Sequence, residues 1–282
     1  MDIVFDKKRA DRTAGEWRYI ITDMICRSGS GHIGGAFSIV EILYVLYYKI
    51  MKVDPKNPRW KERDRLVLSK GHAAPALYVA LAEKGFFEKS WLKTLNEDGT
   101  RLPSHADART VPGIDATTGS LGQGLSVACG MARAAKGNAE NHQIYCIIGD
   151  GESNEGQNWE AAMFAAHNKL DNLIAITDYN KLQIDGATQD ILNLEPLADK
   201  WRAFGWEVFE TDGHDWDKLI DTFQKAVAVK GKPTMIIAHT IKGKGCSIVE
   251  GTAGSHNIKV PDQAAYDRYM GALEVQDVTL PY

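Results

Sequence analysis

The sequence contains few cysteines and carries little net charge, and each of these features excludes a class of protein. A net charge of −4 gives no reason to expect nucleic acid or an anionic membrane as a partner. No CxxC pair is present, so a cysteine metal site is not expected. Reduced thiols in a cytoplasmic protein are the simplest interpretation of four widely spaced cysteines: Cys26, Cys129, Cys146 and Cys246.

Long apolar runs are also missing. The longest, from Phe37 to Tyr48, is interrupted by Glu41 and is too short to span a bilayer. Residues 1–12 carry charges where a secretory signal would need an apolar core. We therefore expect a cytoplasmic protein without a membrane partner.

No repeat, low-complexity tract or Pro/Ser-rich linker divides the chain, so a single domain over residues 1–282 is expected. Helical periodicity is present at 13–27, 38–49, 73–84, 122–136, 157–169, 216–229 and 262–271. Short apolar runs without alternation lie between them, at 65–69, 144–149, 173–177, 206–210 and 234–239. Such runs are typical of parallel strands covered on both faces. The predicted fold class is α/β, with three α/β/α layers and a mostly parallel central sheet.

The stretch IYCIIGDGESNEG, residues 144–156, places an acid where a buried strand ends. Ligands of open α/β sheets bind at the carboxyl ends of the strands, so Asp150 is expected to bind a positive group. Asn180 stands thirty residues later, at the end of the next strand, and a right-handed crossover would bring both to one ion. Because only oxygen ligands are on offer, a hard cation such as Mg²⁺ or Ca²⁺ is indicated.

Two glycine-rich stretches, 28–35 and 117–124, each stand directly before a predicted helix. Backbone N–H groups at such positions are ready anion sites, and Mg²⁺ is usually completed by substrate phosphates. Taken alone, an Asp-Gly turn after a strand is structural more often than functional. The combination of spacing, strand context and glycine loops favours a site for a metal and a phosphate.

The triplet at residues 149–151 and the DYN at 178–180 resemble the GDG…N motif of thiamine diphosphate enzymes. In its details the sequence resembles the N-terminal, diphosphate-binding domain of the transketolase family, from about residue 10 to 262. Four stretches carry this resemblance: SGSGHIGGAFS (28–38), LSKGHAAPALY (68–78), LPSHADARTVPGIDATTGSLGQG (102–124) and GDGESNEG (149–156).

The resemblance implies a cofactor, thiamine diphosphate, held with Mg²⁺, for which Ca²⁺ or Mn²⁺ could substitute. Its metal ligands would be Asp150, the Asn180 side chain and the Leu182 carbonyl, completed by two diphosphate oxygens and a water. The cofactor-binding residues that it implies are His72, Gly119, Ser120, Leu121, Asp150, Gly151, Glu155, Asn180, Leu182 and His256. Glu155 and Glu160 match family glutamates at the contact between subunits.

The same resemblance implies that His32, His105 and His256 are the catalytic residues. Ketol transfer develops charge on a carbonyl oxygen, which positioned donors stabilise. Hydroxyl protons also move near neutral pH, which suits imidazole. The remaining residues of interest are interpreted as structural: His142, His167 and His214 as surface or hydrogen-bonded residues, and Glu152 as a solvated acid at a helix start.

Full-length chains of this family continue into a pyrimidine-binding domain and a C-terminal domain, whereas this sequence ends at Tyr282. The resemblance therefore implies one subunit of a split transketolase. Its partner would be a C-terminal transketolase subunit that carries the pyrimidine-binding domain and the catalytic glutamate, in an α2β2 heterotetramer. The sugar substrate would carry an anionic group, either phosphate or sulfonate.

Two alternatives remain open at this point. The α subunit of a 2-oxo-acid dehydrogenase has the same GDG site and the same division into chains. Three histidines, His32, His72 and His105, argue against it, because a decarboxylating site has less need of contacts to sugar hydroxyls. A non-catalytic subunit that retains the fold is the other alternative, and the retained metal side chains argue against it.

Overall fold

The computed structural model describes residues 5–282, so the first four residues of the charged N-terminal segment lie outside the described residues. Numbered in chain order, the helices are α1 (Lys7–Arg27), α2 (Ile33–Phe37), α3 (Val40–Val45), α4 (Ala74–Lys84), α5 (Gln123–Gly137), α6 (Gly156–His167), α7 (Thr188–Ile191), α8 (Leu197–Ala203), α9 (Trp216–Ala228) and α10 (Gln263–Gly271). The strands are β1 (Ser30–Gly31), β2 (Arg65–Leu68), β3 (Ile144–Gly149), β4 (Leu173–Tyr179), β5 (Leu182–Gln183), β6 (Gly186–Ala187), β7 (Glu207–Asp212), β8 (Thr234–His239) and β9 (Ile258–Lys259).

The five predicted apolar runs form one parallel sheet, in the order β2-β3-β4-β8-β7. Its register pairs Gly149 with Asp178, and Asp178 with Ala238. The carboxyl ends of three neighbouring strands, β3, β4 and β8, therefore lie side by side. This confirms the predicted α/β fold with a parallel central sheet.

Side chains of β3 alternate between two apolar cores, one on each face of the sheet. Tyr145 and Ile147 pack into the core that contains residues of α1, α3, α4 and α9. Ile144, Cys146 and Ile148 pack into a second core with residues of α5, α6 and α8. Both faces of the sheet are thus covered by helices, as the absence of polar alternation predicted.

The predicted helix at 38–49 is instead a broken helical segment. Helix α2 ends at Phe37, before this range, which contains α3 and most of a π-helical turn at Leu46–Ile50. Residues Ile33–Ile50 are long and apolar enough to cross a membrane, but 83% of this window is buried inside the protein. The segment is therefore a core element of the fold.

One helix boundary and the whole of helix α8 are among the features that the periodicity did not predict. Helix α1 begins at Lys7 because Asp6 accepts a hydrogen bond from the Arg9 N–H at 3.1 Å, and its first turns are charged, with little apolar pattern. Helix α8 has seven residues, which is too short for a clear period. It is held instead by the fully buried Trp201.

Candidate active site

The predicted metal ligands meet where β3 and β4 end. Asp150 is 2% exposed, and its carboxylate accepts hydrogen bonds from the Gly151 N–H at 2.7 Å and the Lys181 N–H at 2.5 Å. The same turn carries Asn180 and Leu182, and the Leu182 N–H donates to Asn180 Oδ1 at 3.1 Å. Asp150 therefore faces the segment that holds the other two predicted ligands.

The Asn180 amide is oriented by a buried acid. Asn180 Nδ2 donates to Asp178 Oδ2 at 3.0 Å, so its oxygen is directed away from that carboxylate. Burial would raise the pKa of Asp178, but the ammonium of Lys70 at 2.5 Å, with hydroxyl donors from Thr240 and Ser38, holds that pKa below its usual range. An ionised Asp178 fixes which amide atom Asn180 presents to a ligand.

Four of the predicted histidines form one cluster. The ring of His32 lies 5.2 Å from that of His72, 5.7 Å from that of His105 and 5.2 Å from that of His256, between centroids. His72 and His256 are also 5.2 Å apart. Four imidazoles from four separate loops thus converge on one space, although their roles in binding and catalysis stay predictions.

A short antiparallel ladder explains how distant histidines meet. Strand β1 pairs with β9, with Gly31 opposite Ile258, and this brings the loop of His32 beside the turn Ala253–His256. Gly119 has φ = +156°, and a Cβ there would lie 3.2 Å from the His105 ring. The loop can therefore pass close to the imidazole only because residue 119 has no side chain.

The environment of the cluster keeps its histidines neutral. Burial is the largest cause that lowers the pKa of His32, His72 and His105. The pKa of His256 falls to about 4, because of burial and of the positive charge of Lys242. Each ring therefore offers one N–H donor and one acceptor nitrogen at neutral pH.

Glu152 corrects one interpretation, since it is not a solvated acid at a helix start. It is 3% exposed, and its carboxylate accepts the N–H groups of Gly122 and Gly149 at 2.9 Å each, together with the Ser69 hydroxyl. Burial raises its pKa against these hydrogen bonds. The interpretation was wrong because a sequence pattern does not give the direction of a side chain. The Glu152 side chain points back towards the carboxyl end of the sheet, where its hydrogen bonds link three loops.

Lys242 was missed by the sequence analysis. It is 3% exposed, and its ammonium donates to the Leu182 carbonyl at 3.3 Å. Burial, together with the nearby Lys70, lowers the pKa of Lys242 to about 8. The IKGKG stretch after β8 is the available signal, because a lysine directly after a strand end lies on the ligand-binding side of the sheet.

The other sequence-predicted residues lie at the edges of the site or away from it. Glu155 and Glu160 are exposed, as is His167 on α6. His142 is buried before β3, at the opposite end of the sheet from Gly149. His214 is hydrogen-bonded within the protein, as interpreted.

The donor set fits a hard cation bound to a diphosphate. It provides one carboxylate, one amide oxygen and one peptide oxygen, and burial with the nearby Asp178 raises the pKa of Asp150 to about 7. A bound dication would favour the ionised form of this acid. Within residues 5–282, the peptide N–H groups of Gly119, Ser120 and Leu121 donate to no protein atom, so they are available to an anion. No cluster of three His, Cys, Asp or Glu residues that could hold a metal exists in these residues, which leaves this mixed oxygen set.

Comparison with known proteins decides the family. The family described as "Transketolase, thiamine diphosphate binding domain" matches residues 9–269. The chain belongs to the transketolase family. It is 58% identical over 246 residues to a 6-deoxy-6-sulfo-D-fructose transketolase subunit of Clostridium sp. (strain MSTE9), covering 87% of this chain and 90% of that one. It is 44% identical to an apulose-4-phosphate transketolase subunit of Phocaeicola vulgatus, covering 88% and 87%.

Solved transketolases have the same fold. The chain superimposes on transketolase from Campylobacter jejuni with a TM-score of 0.88 at 34% identity, over 95% of its own length and 43% of that chain. It thus spans less than half of the solved transketolase but nearly all of the two relatives that are subunits. The predicted transketolase subunit with a thiamine diphosphate-binding domain is confirmed, and the two alternatives are not favoured. Relatives that are themselves subunits also imply a partner subunit.

Proposed function

We propose that this transketolase subunit binds thiamine diphosphate together with Mg²⁺ and contributes half of a composite active site. In a cytoplasmic complex, it transfers a two-carbon ketol unit from an anionic ketose to an aldose. The observation that carries this proposal is the convergence of four neutral imidazoles beside the oxygen set of Asp150, Asn180 and Leu182.

The metal would be held by the Asp150 carboxylate, the Asn180 amide oxygen and the Leu182 carbonyl. Oxygen ligands of this kind, completed by diphosphate oxygens and water, match the preference of Mg²⁺ for octahedral oxygen coordination. Lys242, already hydrogen-bonded to the Leu182 carbonyl, is in place to donate to the diphosphate as well. The free N–H groups of Gly119, Ser120 and Leu121 would approach the cofactor from the opposite loop.

Thiamine diphosphate, when bound, supplies the electron sink that lets a carbon–carbon bond next to a carbonyl break and reform. The chain's own part is to bind sugar hydroxyls and to move protons. Cleavage between C2 and C3 of the donor releases a hydroxyl proton, and formation of the new bond returns one to the acceptor oxygen. A neutral His32, His105 or His256 can accept that proton through its free ring nitrogen and return it.

The donor that we propose is a sulfonated ketose of the 6-deoxy-6-sulfo-D-fructose type. The supporting observation is that the relative named for this sugar shares 58% identity, against 44% for the relative named for apulose 4-phosphate. Of the two lysines whose charge acts on the histidine cluster, Lys70 pairs with Asp178 and Lys242 contacts the Leu182 carbonyl. The sulfonate would therefore be bound mainly by the partner subunit.

The partner is proposed to be a C-terminal transketolase subunit with the pyrimidine-binding domain and the catalytic glutamate. Exposed apolar side chains support a protein contact on α5 and α6: Val127 is 40% exposed, Met163 56% and Phe164 45%. Glu155 and Glu160 lie exposed at the start of α6 and would join the same contact. Two-fold pairing is the commonest symmetry of such enzymes, which favours two copies of each chain.

Calorimetry with thiamine diphosphate and Mg²⁺ tests this proposal directly. The wild-type chain with its partner should bind the cofactor only when the metal is present, and a chelator should release it. Assays should then give ketol transfer and no 2-oxo-acid decarboxylation. Binding that is independent of the metal, or decarboxylation without ketol transfer, would refute the proposed function.

A further inference from the structure

Three polar side chains outside the histidine cluster, those of Arg18, Glu41 and His214, form a largely buried hydrogen-bonded chain. Glu41 interrupts the apolar helix α3 and is 5% exposed, and both of its oxygens lie 2.7 Å from Arg18 Nη2 on α1. Glu41 Oε2 also lies 3.0 Å from His214 Nδ1. These contacts explain how a carboxylate is tolerated inside an otherwise apolar segment.

The hydrogen bonds of His214 fix its tautomer. The backbone N–H of Ile241 donates to His214 Nε2 at 2.9 Å, so this nitrogen must be the acceptor. In a neutral imidazole the other nitrogen then carries the proton, and Nδ1 donates to Glu41. His214 therefore links the buried Glu41 carboxylate to the backbone at Ile241 by two hydrogen bonds.

The residues on either side of Ile241 both reach the candidate site. Thr240 donates its hydroxyl to Asp178, the acid that orients Asn180. Lys242 donates to the Leu182 carbonyl at 3.3 Å. Within residues 5–282, the Ile241 N–H has no protein acceptor besides His214, so the path of this segment would be less restricted without that bond.

We propose that His214 is a positioning residue for the thiamine diphosphate site. Held by Glu41 and Arg18, it fixes the Thr240–Lys242 backbone so that the lysine ammonium and the Thr240–Asp178–Asn180 hydrogen bonds are in place before the cofactor binds. The inference rests on the proposed function for the identity of the cofactor. It assigns a role to a histidine that is not part of the cluster and that sequence patterns leave as structural.

Stability alone does not account for this arrangement. Replacing a buried ion pair by apolar residues of similar volume is often neutral or stabilising, so the charged chain is weak evidence for a stabilising role. By contrast, removing a residue that orients the groups around a metal typically lowers metal affinity or activity 10–100-fold. The two roles predict different results for two replacements of His214.

Two replacements of His214, by asparagine and by glutamine, each retain a different one of its two hydrogen bonds. In His214→Asn, the amide nitrogen takes the place of Nδ1 and can donate to Glu41, but no acceptor reaches the Ile241 N–H. In His214→Gln, the amide oxygen takes the place of Nε2 and accepts that N–H, but the donor to Glu41 is lost. The matched control is His142→Gln, which removes a buried imidazole at the opposite end of the sheet.

The measurements are the affinity for thiamine diphosphate with Mg²⁺ and the hydrogen exchange of the Ile241 amide in the full chain without cofactor. We expect His214→Asn to raise the Kd about 10–100-fold and to speed exchange at Ile241. His214→Gln should retain affinity and slow exchange close to wild type, and His142→Gln should change neither.

Wild-type affinity and slow exchange in His214→Asn would overturn the inference, and so would equal weakening of binding by both His214 variants. Fast exchange of Ile241 in the wild-type chain would overturn it without any variant, even where the asparagine variant does not fold. Failure of the proposed function is distinguishable, because the wild-type chain would then bind no thiamine diphosphate while Ile241 still exchanged slowly.

Discussion

Asp150 accepts the backbone N–H of Lys181 at 2.5 Å, so the end of β3 is tied to the turn that follows β4. The strand register sets this contact, because Gly149 pairs with Asp178 and the two chains leave the sheet together. One carboxylate thus shapes the turn that presents Asn180 and Leu182. The candidate metal site is built by the sheet itself.

Replacing Asp150 by alanine should abolish cofactor-dependent activity while the fold survives. The change removes the only carboxylate of the predicted ligand set and leaves the Mg²⁺–diphosphate pair with one fewer hard anionic ligand. Calorimetry with thiamine diphosphate and Mg²⁺ checks it, with Asp199→Ala on the exposed face of α8 as the control. Unchanged cofactor affinity in Asp150→Ala would eliminate the metal assignment.

Replacing His105 should mainly reduce turnover, whereas replacing His72 should mainly reduce cofactor affinity. His105→Ala should lower kcat by about 10²–10³-fold, the usual cost of losing an oriented donor to developing charge, with little change in cofactor affinity. His72→Ala should weaken cofactor binding first. Steady-state kinetics at saturating cofactor, with exposed His167→Ala as control, separate the two. Wild-type kinetics of His105→Ala at saturating donor would show that its assigned role is wrong.

Removing the charge of Glu152 should loosen three loops at once. In Glu152→Gln, one acceptor oxygen becomes an NH₂ group facing the N–H of Gly122 or Gly149. A buried donor left without an acceptor costs about 1–3 kcal/mol. Urea unfolding should show a loss of that order with weaker cofactor binding, whereas the exposed Glu155→Gln should unfold like wild type. Equal stability of the two variants would contradict this account of Glu152.

Acid should destabilise the cofactor-free chain through the histidine cluster. The pKa of His256 is lowered from 6.5 to about 4 in the folded chain. Between these values the unfolded state binds the extra proton, so stability falls as pH drops from about 6.5 towards 4. Thermal unfolding across this range should show a smaller decline in His256→Asn than in wild type. An identical decline would mean that His256 is not buried as described.

The sheet and the Asp150–Asn180 pair could be predicted because they follow from local patterns. Apolar runs mark strands, and a fixed spacing through a right-handed crossover places two strand ends together. The meeting of the histidines does not follow from such a pattern, because His32 and His256 are brought together by the separate β1–β9 ladder.

Glu152 and Lys242 could not be predicted in the same way, because their roles depend on side-chain direction. Glu152 meets Ser69, which is 83 residues away in the chain, and Lys242 meets Leu182, which is 60 residues away. His214 is similar, since its contacts to Glu41 and Ile241 are visible only after α3, α9 and β8 have packed. A sequence pattern indicates the edge of the sheet where such residues lie, but not the partner that each one contacts.

The central claim is that this chain and a pyrimidine-binding partner form one ketol-transferring enzyme. The most direct measurement is ketol transfer from 6-deoxy-6-sulfo-D-fructose to an aldose, followed by mass spectrometry with this chain alone, the partner alone and both together. We predict a ketose two carbons longer than the acceptor aldose only when both chains, thiamine diphosphate and Mg²⁺ are present, in a complex with the mass of two copies of each chain. Full activity from this chain alone, or none from a mixture that binds the cofactor, would contradict the account.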